Sequence, residues 1–417
     1  MGYQVIEDSD IIDGLSVRYL KIFGIWKVIN DYRTSEKRNY ILKFQLIITL
    51  VLAIPSIIPQ YFSFLVIQVD IQKATILNFH SLPSLQVLCK LLVFWFRIDS
   101  LCKLYNLMTK DFLDKTIPDC EIESVKHIYT KMSKRTNIIV LTACIVINCG
   151  VFLLVLFPSI SVDYILYHTG NMYEVTTGRK KISTGWYPLP MDKSPWYEII
   201  LVYEGLVVLW AGSFIFVFMC LYYQLLMCLH AQFIVLGSHV STLKIESLFE
   251  ELEATDRIKN VEMYKKLYRI LQDHQKLISF ADELRTVYNP LVTMILGMGI
   301  SVLIIAVFQF LLGKTGDPMF ILRSFMFLLY QCIEVSMFCY SSSFIETASS
   351  DLHFAIYSSD WYKAGTKFRK AAQMMMIRAR KGVTLTAIRM YPINLETIMA
   401  ILQFTYTVAT LISRFTE

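Results

Sequence analysis

The chain has 417 residues, 55% of them hydrophobic and only 18% charged, with a mean hydropathy of +0.48. A soluble protein carries about 25% charged residues, so this composition excludes an ordinary aqueous globular domain and makes lipid the expected solvent. The net charge of +6 is too small and too dispersed to point to nucleic acid.

Aromatic residues make up 14% of the chain, which suits both interfacial belts and apolar ligand pockets. The nine cysteines fall mostly inside apolar runs and form no CxxC pair, so they read as small buried hydrophobes. No Asn-x-Ser/Thr sequon occurs. The first forty residues are mixed and polar, and no cleaved secretory signal is expected.

Residues 1–43 contain LSVRYLKIFGIWKV, bulky apolar residues interleaved with Arg18, Lys21 and Lys27. This segment reads as an amphipathic helix at a membrane surface. Seven spans then meet the length rule of about twenty mostly apolar residues. They are Ile41–Val66, with Pro55 and Pro59 expected to kink it; His80–Phe96; Ile138–Phe157; Tyr197–Leu221; Pro290–Leu312; Phe320–Phe344; and Tyr391–Phe415. The expected organisation is an amino-terminal segment (1–43), a six-span body (41–344), a segment between the last two spans (345–390) and the seventh helix (391–417). The fold class is an all-α membrane protein with seven transmembrane helices.

Lys and Arg fix the orientation. The amino-terminal segment and the connections after the second, fourth and sixth spans hold 31 of them, against seven on the other side. By the positive-inside rule the amino terminus is cytosolic and the carboxyl terminus extracellular.

Between Leu267 and Tyr288, apolar residues recur at Leu267, Leu271, Leu277, Ile278, Ala281, Leu284 and Tyr288, which is helical spacing. The fourth, fifth and sixth helices are therefore expected to continue beyond the membrane. They would pack there with the start of the seventh, next to the adaptable run Met374, Met375 and Met376. The long segment Ser159–Trp196 is either an outer lid or a passive connector.

Four ionisable residues fall within the spans. Glu204 and Glu334 lie deep, with a hydrogen bond inside the bundle as the favoured reading; Lys90 and Arg323 sit near enough to span ends to snorkel. The outer halves of spans two to six carry Phe79, His80, Cys149, Phe152, Leu153, Tyr203, Val207, Trp210, Phe214, Phe325, Phe327 and Tyr330. A cavity among these mostly aromatic side chains would take a small, largely apolar molecule, held by shape. The last span is sprinkled with hydroxyls: Thr397, Thr405, Thr407, Thr410 and Ser413. A helix facing only lipid has no use for them, whereas one lining a water path does.

No catalytic signature occurs, and no metal ligand set or cofactor is expected. Gly313-Lys314-Thr315 resembles the end of a phosphate loop, but Phe308 stands where the leading glycine belongs. No enzyme is expected on these grounds.

Several stretches together resemble insect odorant receptors, over essentially the whole chain. They are LKIFGIWKV, DHQKLISFADELRTVYNP, YQCIEVSMFCYSSSFIETASSDLHFAIYSSDWY and MYPINLETIMAILQFTYTVATLI. Thr405-Tyr406 is followed after five residues by Ile412-Ser413, where the sister gustatory receptors carry Gln-Phe. The resemblance implies a tuned subunit of an odour-gated, non-selective cation channel in a sensory-neuron plasma membrane. It implies a tetramer with a shared co-receptor subunit around one pore, anchored through the cytosolic helical stubs. The long cytosolic insertion of co-receptors is absent. The ligand would be a small volatile bound by Phe79, His80, Cys149, Leu153, Tyr203, Val207, Trp210, Phe327 and Tyr330. Matching from the Thr-Tyr pair, the pore positions are Thr405, Tyr406, Ala409, Ile412 and Ser413, with the constriction at Ala409. The expected mechanism is a volatile packed against Tyr203, Trp210, Phe327 and Tyr330 that shifts the fifth and sixth helices and widens the ring at Ala409 and Ser413.

A gustatory-type channel and a G-protein-coupled chemoreceptor are the alternatives. The latter is disfavoured by the inverted topology and by the absence of an Asp-Arg-Tyr triplet after the third span. A transporter would show internal symmetry between halves, and none is visible.

Overall fold

A computed structural model describes residues 3–4, 15–22, 35–66, 71–107, 117–151, 186–187, 189, 195–241, 254–312, 318–388 and 390–416. Nine α-helices lie within the described residues: α1 Leu15–Ile22, α2 Ser35–Val66, α3 Ile71–Asn106, α4 Asp119–Val151, α5 Trp196–Ser241, α6 Ala254–Leu312, α7 Pro318–Ser358, α8 Thr366–Arg380 and α9 Leu395–Thr416. The expected spans map in order onto α2 to α7 and α9. Two short antiparallel pairings, Tyr3–Gln4 (β1) with Ile117–Pro118 (β2) and Thr386–Ala387 (β3) with Tyr391–Pro392 (β4), and a 3₁₀ turn at Trp361–Lys363 accompany them.

The helices outrun the apolar spans that seed them. α5 has 46 residues and α6 has 59. At 1.5 Å per residue these are about 70 and 90 Å long, far more than the roughly 30 Å of a hydrocarbon core. The excess lies at the Lys/Arg-rich end of the bundle, and the packing is richest there. Leu225, Leu226, Leu229 and Phe233 of α5 meet Leu277, Phe280, Ala281 and Leu284 of α6, Ile345, Leu352 and Ile356 of α7, and Phe368, Ala372 and Met375 of α8 in one buried cluster. The spacing of Leu267, Leu277, Ala281, Leu284 and Tyr288 does mark the buried face of α6. Of the three consecutive methionines, Met375 and Met376 are buried and Met374 is 72% exposed.

α1 docks on the bundle rather than only skimming a surface. Val17 and Leu20 are buried while Arg18 and Lys21 stay exposed. The Tyr19 hydroxyl lies 2.7 Å from Cys144 Sγ of α4, and Leu15 N–H donates to Asn137 Oδ1. Pro55 and Pro59 lie inside α2, and Pro290, expected at the start of a span, lies inside α6.

The approach to α9 is held closely. Just past the end of α8 stands Gly382, whose φ of +50° is a left-handed conformation that favours glycine; a Cβ there would stand 3.3 Å from the Glu346 carbonyl. Val383 N–H then donates to Ser349 Oγ of α7. On α6, Arg285 donates twice to the Thr384 carbonyl and Asn289 Nδ2 to the Thr386 carbonyl, while Thr293 Oγ1 accepts from Ile388 N–H. Four residues of helix advance about 6 Å and two of strand about 6.6 Å, so one face of α6 stays in register with alternate residues of the strand. Asn394 caps α9, its Oδ1 accepting from Thr397 N–H at 3.1 Å.

Candidate functional site

Of the expected ligand residues, Phe79, His80 and Cys149 lie on α3 and α4 with side chains outside the described set, and Leu153 lies outside the described residues. The others sit on α5 and α7. Phe327 and Tyr330 are half-buried neighbours, ring centroids 6.0 Å apart. Tyr330 packs against the cluster of Val140, Ala143 and Cys144 from α4 with Phe216, Met219, Cys220 and Tyr223 from α5. Its hydroxyl is buried and has no hydrogen-bond partner among the described residues. Trp210 packs instead against the larger core, and Val207 is buried. Tyr203 turns away toward α2, donating to the Leu52 carbonyl at 2.6 Å. The expected set is thus divided: Phe327 and Tyr330 share the α4–α5–α7 seam, whereas Tyr203 ties α5 to α2.

Both deep glutamates are engaged within the bundle. Glu204 is 3% exposed and accepts from the Tyr187 hydroxyl at 3.1 Å. The neighbouring Trp186 N–H donates to Ser63 Oγ and to the Pro59 carbonyl, and its ring stacks on Phe62. This fragment of the long connection is therefore strapped across α2 and α5. Glu334 is fully buried, and Lys90 of α3 donates to its Oε1. Gln86 Nε2 and Gln331 Nε2 each donate to its Oε2 at 3.3 Å. The snorkelling expected of Lys90 is thereby corrected: it is 2% exposed, because a carboxylate from another helix meets the ammonium before it can reach the interface. Gly299 of α6 makes the site possible, since a Cβ there would fall 2.8 Å from Gln331 Nε2.

The terminal helix divides by face. Ile401, Thr405 and Ala409 are buried at one-turn intervals, on a helix that packs against α6 and α7. Met399, Leu402, Gln403, Phe404, Tyr406, Thr407 and Leu411 are exposed. Only 17% of its apolar window is buried by the rest of the chain. Ala409, expected at a constriction, is 0% exposed and faces the bundle, as does Thr405 at 2%. The physical reason is helical phase: small residues four apart let α9 approach its neighbours closely. Tyr406 lies on the free face, Ile412 is half-buried, and the Ser413 side chain lies outside the described set. The free face also presents Gln403 and Thr407, which matching from the Thr-Tyr pair passes over. Their spacing, four apart and out of phase with Thr405 and Ala409, was a signal available in the sequence.

At the Lys/Arg-rich end an open groove of about 1340 Å³ runs between α3, α6 and α8, lined among others by Arg97, Lys103, His274, Glu283 and Arg378. His274 is 5% exposed there; burial, and secondarily the Arg378 guanidinium, pushes its pKa down to about 4, so it is neutral at physiological pH. No group of three or more potential metal ligands is found among the described residues.

Comparison with known proteins is consistent along the chain. Residues 78–406 match the family model described as 7tm Odorant receptor. Odorant receptor 63a of Drosophila melanogaster is 22% identical over 344 residues, covering 77% of each chain. Odorant receptor 10 of Aedes albopictus is 24% identical over 259 residues, covering 58% of this chain and 63% of the relative. The solved structure of the olfactory receptor OR5 from Machilis hrabei in complex with eugenol superposes with a TM-score of 0.74 at 16% identity, over 96% of this chain and 99% of that one. The seven long helices, α2 to α7 and α9, share that receptor's fold, and the chain is not an enzyme. It belongs to the insect odorant receptor family of seven-helix membrane proteins.

Proposed function

We propose that the chain is the tuned, ligand-binding subunit of an odour-gated, non-selective cation channel. It assembles with a shared co-receptor subunit in a tetramer, in the plasma membrane of sensory neurons. The charge asymmetry supports a cytosolic amino terminus and cytosolic helical extensions. The ligand is a small, mostly apolar volatile in the outer half of the bundle, in the seam that contains Phe327 and Tyr330.

The observation that carries this reading is the terminal helix. Its own chain covers one narrow stripe, and the free face carries polar Gln403 and Thr407 beside Tyr406. The Gln403 amide pointed at acyl chains is unfavourable, whereas pointed at a water-filled axis between subunits it is solvated; the Thr407 hydroxyl beside it donates to the Gln403 backbone carbonyl. Gln403, Tyr406 and Thr407 are accordingly the primary pore candidates, with Ile412 and Ser413 beyond them. Thr405 and Ala409 act as the hinge face on which α9 turns against α6 and α7. Phe354, Tyr357, Met374 and Ile377 are each at least 66% exposed at the Lys/Arg-rich end. Such clustered apolar exposure suits contact between subunits.

Coupling follows the backbone. A ligand in the seam opens the pore only to the extent that it prefers the open arrangement of α6 and α7. Movement of α6 reaches α9 through the Arg285–Asn289–Thr293 ladder. The test is expression with and without a co-receptor, recording volatile-evoked cation current. Current should need both chains and a volatile; no current from any volatile in a broad panel, with both chains at the cell surface, would refute the reading.

A further inference from the structure

The Lys90–Glu334 cluster is not fully satisfied from within. Lys90 offers three N–H donors, and the acceptor found for them among the described residues is Glu334 Oε1. Gln331 spends its amide N–H on Glu334 Oε2, while its buried carbonyl Oε1 has no partner among the described residues. One turn outward on the same face of α7 stands Tyr330, whose buried hydroxyl also lacks a partner. Surplus donors on an ammonium, a surplus acceptor on an amide and an idle phenol therefore meet around one carboxylate. Leaving such groups dry is costly, and more so for a charge than for a neutral group.

The position of the cluster adds to this. Phe327, Tyr330 and Glu334 fall at i, i+3 and i+7 of α7, so the carboxylate lies about 6 Å along the helix from Tyr330. On α3, Gln86 and Lys90 lie one turn apart on one face. Tyr330 joins the two sites: its ring packs on α4 and α5 in the seam, and one turn further along α7 Glu334 meets Gln86 and Lys90 of α3.

Resting on the ligand-seam reading above, we propose that Lys90, Gln331 and Tyr330 form a polar subsite that selects volatiles bearing a hydroxyl group. A hydroxyl is the small group that answers both deficits at once, accepting from Lys90 Nζ and donating to Gln331 Oε1. A ketone or ester oxygen answers only the first, and a hydrocarbon answers neither. The expected order of potency is alcohol, then ketone, then alkane of the same chain length. Glu334 is a positioning residue that holds the ammonium and both glutamine amides. The aromatic seam supplies contact area and the polar cluster supplies discrimination.

The test is a matched series of straight-chain alcohols, methyl ketones and alkanes applied to cells expressing this chain with a co-receptor. Within each chain length that evokes current, the alcohol should be at least tenfold more potent than the alkane, as expected for about 1.5 kcal/mol from a hydrogen bond to a charged group. In the double variant Lys90→Met/Glu334→Leu, which removes both charges, the ratio should fall below about threefold. Equal potency of alcohol and alkane on the unaltered chain, or an unchanged ratio in the double variant, overturns the subsite; buried water alone then satisfies the groups. If the double variant does not reach the surface, thermal stabilisation of the purified unaltered protein decides. Octan-1-ol should raise the midpoint and octane should not, and equal shifts overturn the proposal. An absence of current with every volatile, alongside selective stabilisation by the alcohol, would refute the channel reading and leave the subsite standing.

Discussion

The side-chain amide of Asn289 donates a 2.8 Å hydrogen bond to the Thr386 carbonyl, joining the middle of α6 to the strand that leads into the terminal helix. With Arg285 on one side and Thr293 on the other, it forms the central rung of the link between the bundle and α9. Asn289→Ala leaves that carbonyl unpaired and should cost about 1 kcal/mol of stability. On the coupling proposed above the rung also transmits movement, so the maximal volatile-evoked current should fall to less than about half at equal surface expression, with binding little altered. Concentration–response curves beside surface labelling check this; an unchanged maximum would remove the ladder from the gating path.

The ion pair between Lys90 and Glu334 has asymmetric consequences. Lys90→Met alone leaves a buried carboxylate facing an apolar side chain and should cost about 3 kcal/mol or more. Lys90→Met/Glu334→Leu removes both charges and should recover most of that loss. Thermal unfolding in detergent compares the three proteins; a double variant no more stable than the single would show that the surrounding packing, not the bare charge, sets the cost.

Two glycines of α6 make opposite predictions from the same substitution. A Cβ at Gly297 meets nothing within 4 Å, whereas at Gly299 it stands 2.8 Å from Gln331 Nε2. Gly297→Ala should be neutral or stabilising by up to about 1 kcal/mol through helix propensity. Gly299→Ala gains the same propensity but must push a buried amide off Glu334, and should be net destabilising by about 1–2 kcal/mol. Melting midpoints of the two variants, measured together, should move apart; movement in the same direction would contradict the packing at Gly299.

His274 supplies a pH dependence. Its folded pKa of about 4 lies below its ordinary value of 6.5. Protonation therefore favours the unfolded chain: the contribution is complete above pH 6.5 and drains away as pH falls toward 4. About 2 kcal/mol should be lost by pH 5, and His274→Gln should flatten that part of the profile. An identical pH slope in the variant would place the acid sensitivity elsewhere.

Much of the bundle is legible in the amino-acid sequence because lipid demands long apolar runs. Helix ends are less legible: α3 continues well beyond the apolar run at His80–Phe96, and past Phe96 it packs Ile98, Leu101, Leu104 and Tyr105 into the core rather than on lipid. Lys90 was misread for a different reason. Its partner is 244 residues away, and no local pattern joins them. Ala409 shows the limit of matching a motif without phasing it. The Thr-Tyr pair fixes where α9 lies along the chain, but the rotation of the helix follows from which residues pack, and Ile401, Thr405 and Ala409 do. The aromatic seam was only partly legible, since Tyr203 has the character of a pocket residue yet spends its hydroxyl on Leu52.

Cysteine accessibility along α9, in cells expressing this chain with a co-receptor, tests the central claim most directly. Gln403→Cys and Thr407→Cys should be modified by a small cationic thiol reagent while a volatile is present, with progressive loss of current. Ala409→Cys should match the unsubstituted chain, whose native cysteines set the background. Modification at Ala409 with Gln403 and Thr407 spared would contradict the account, as would a current indifferent to the reagent at all three positions.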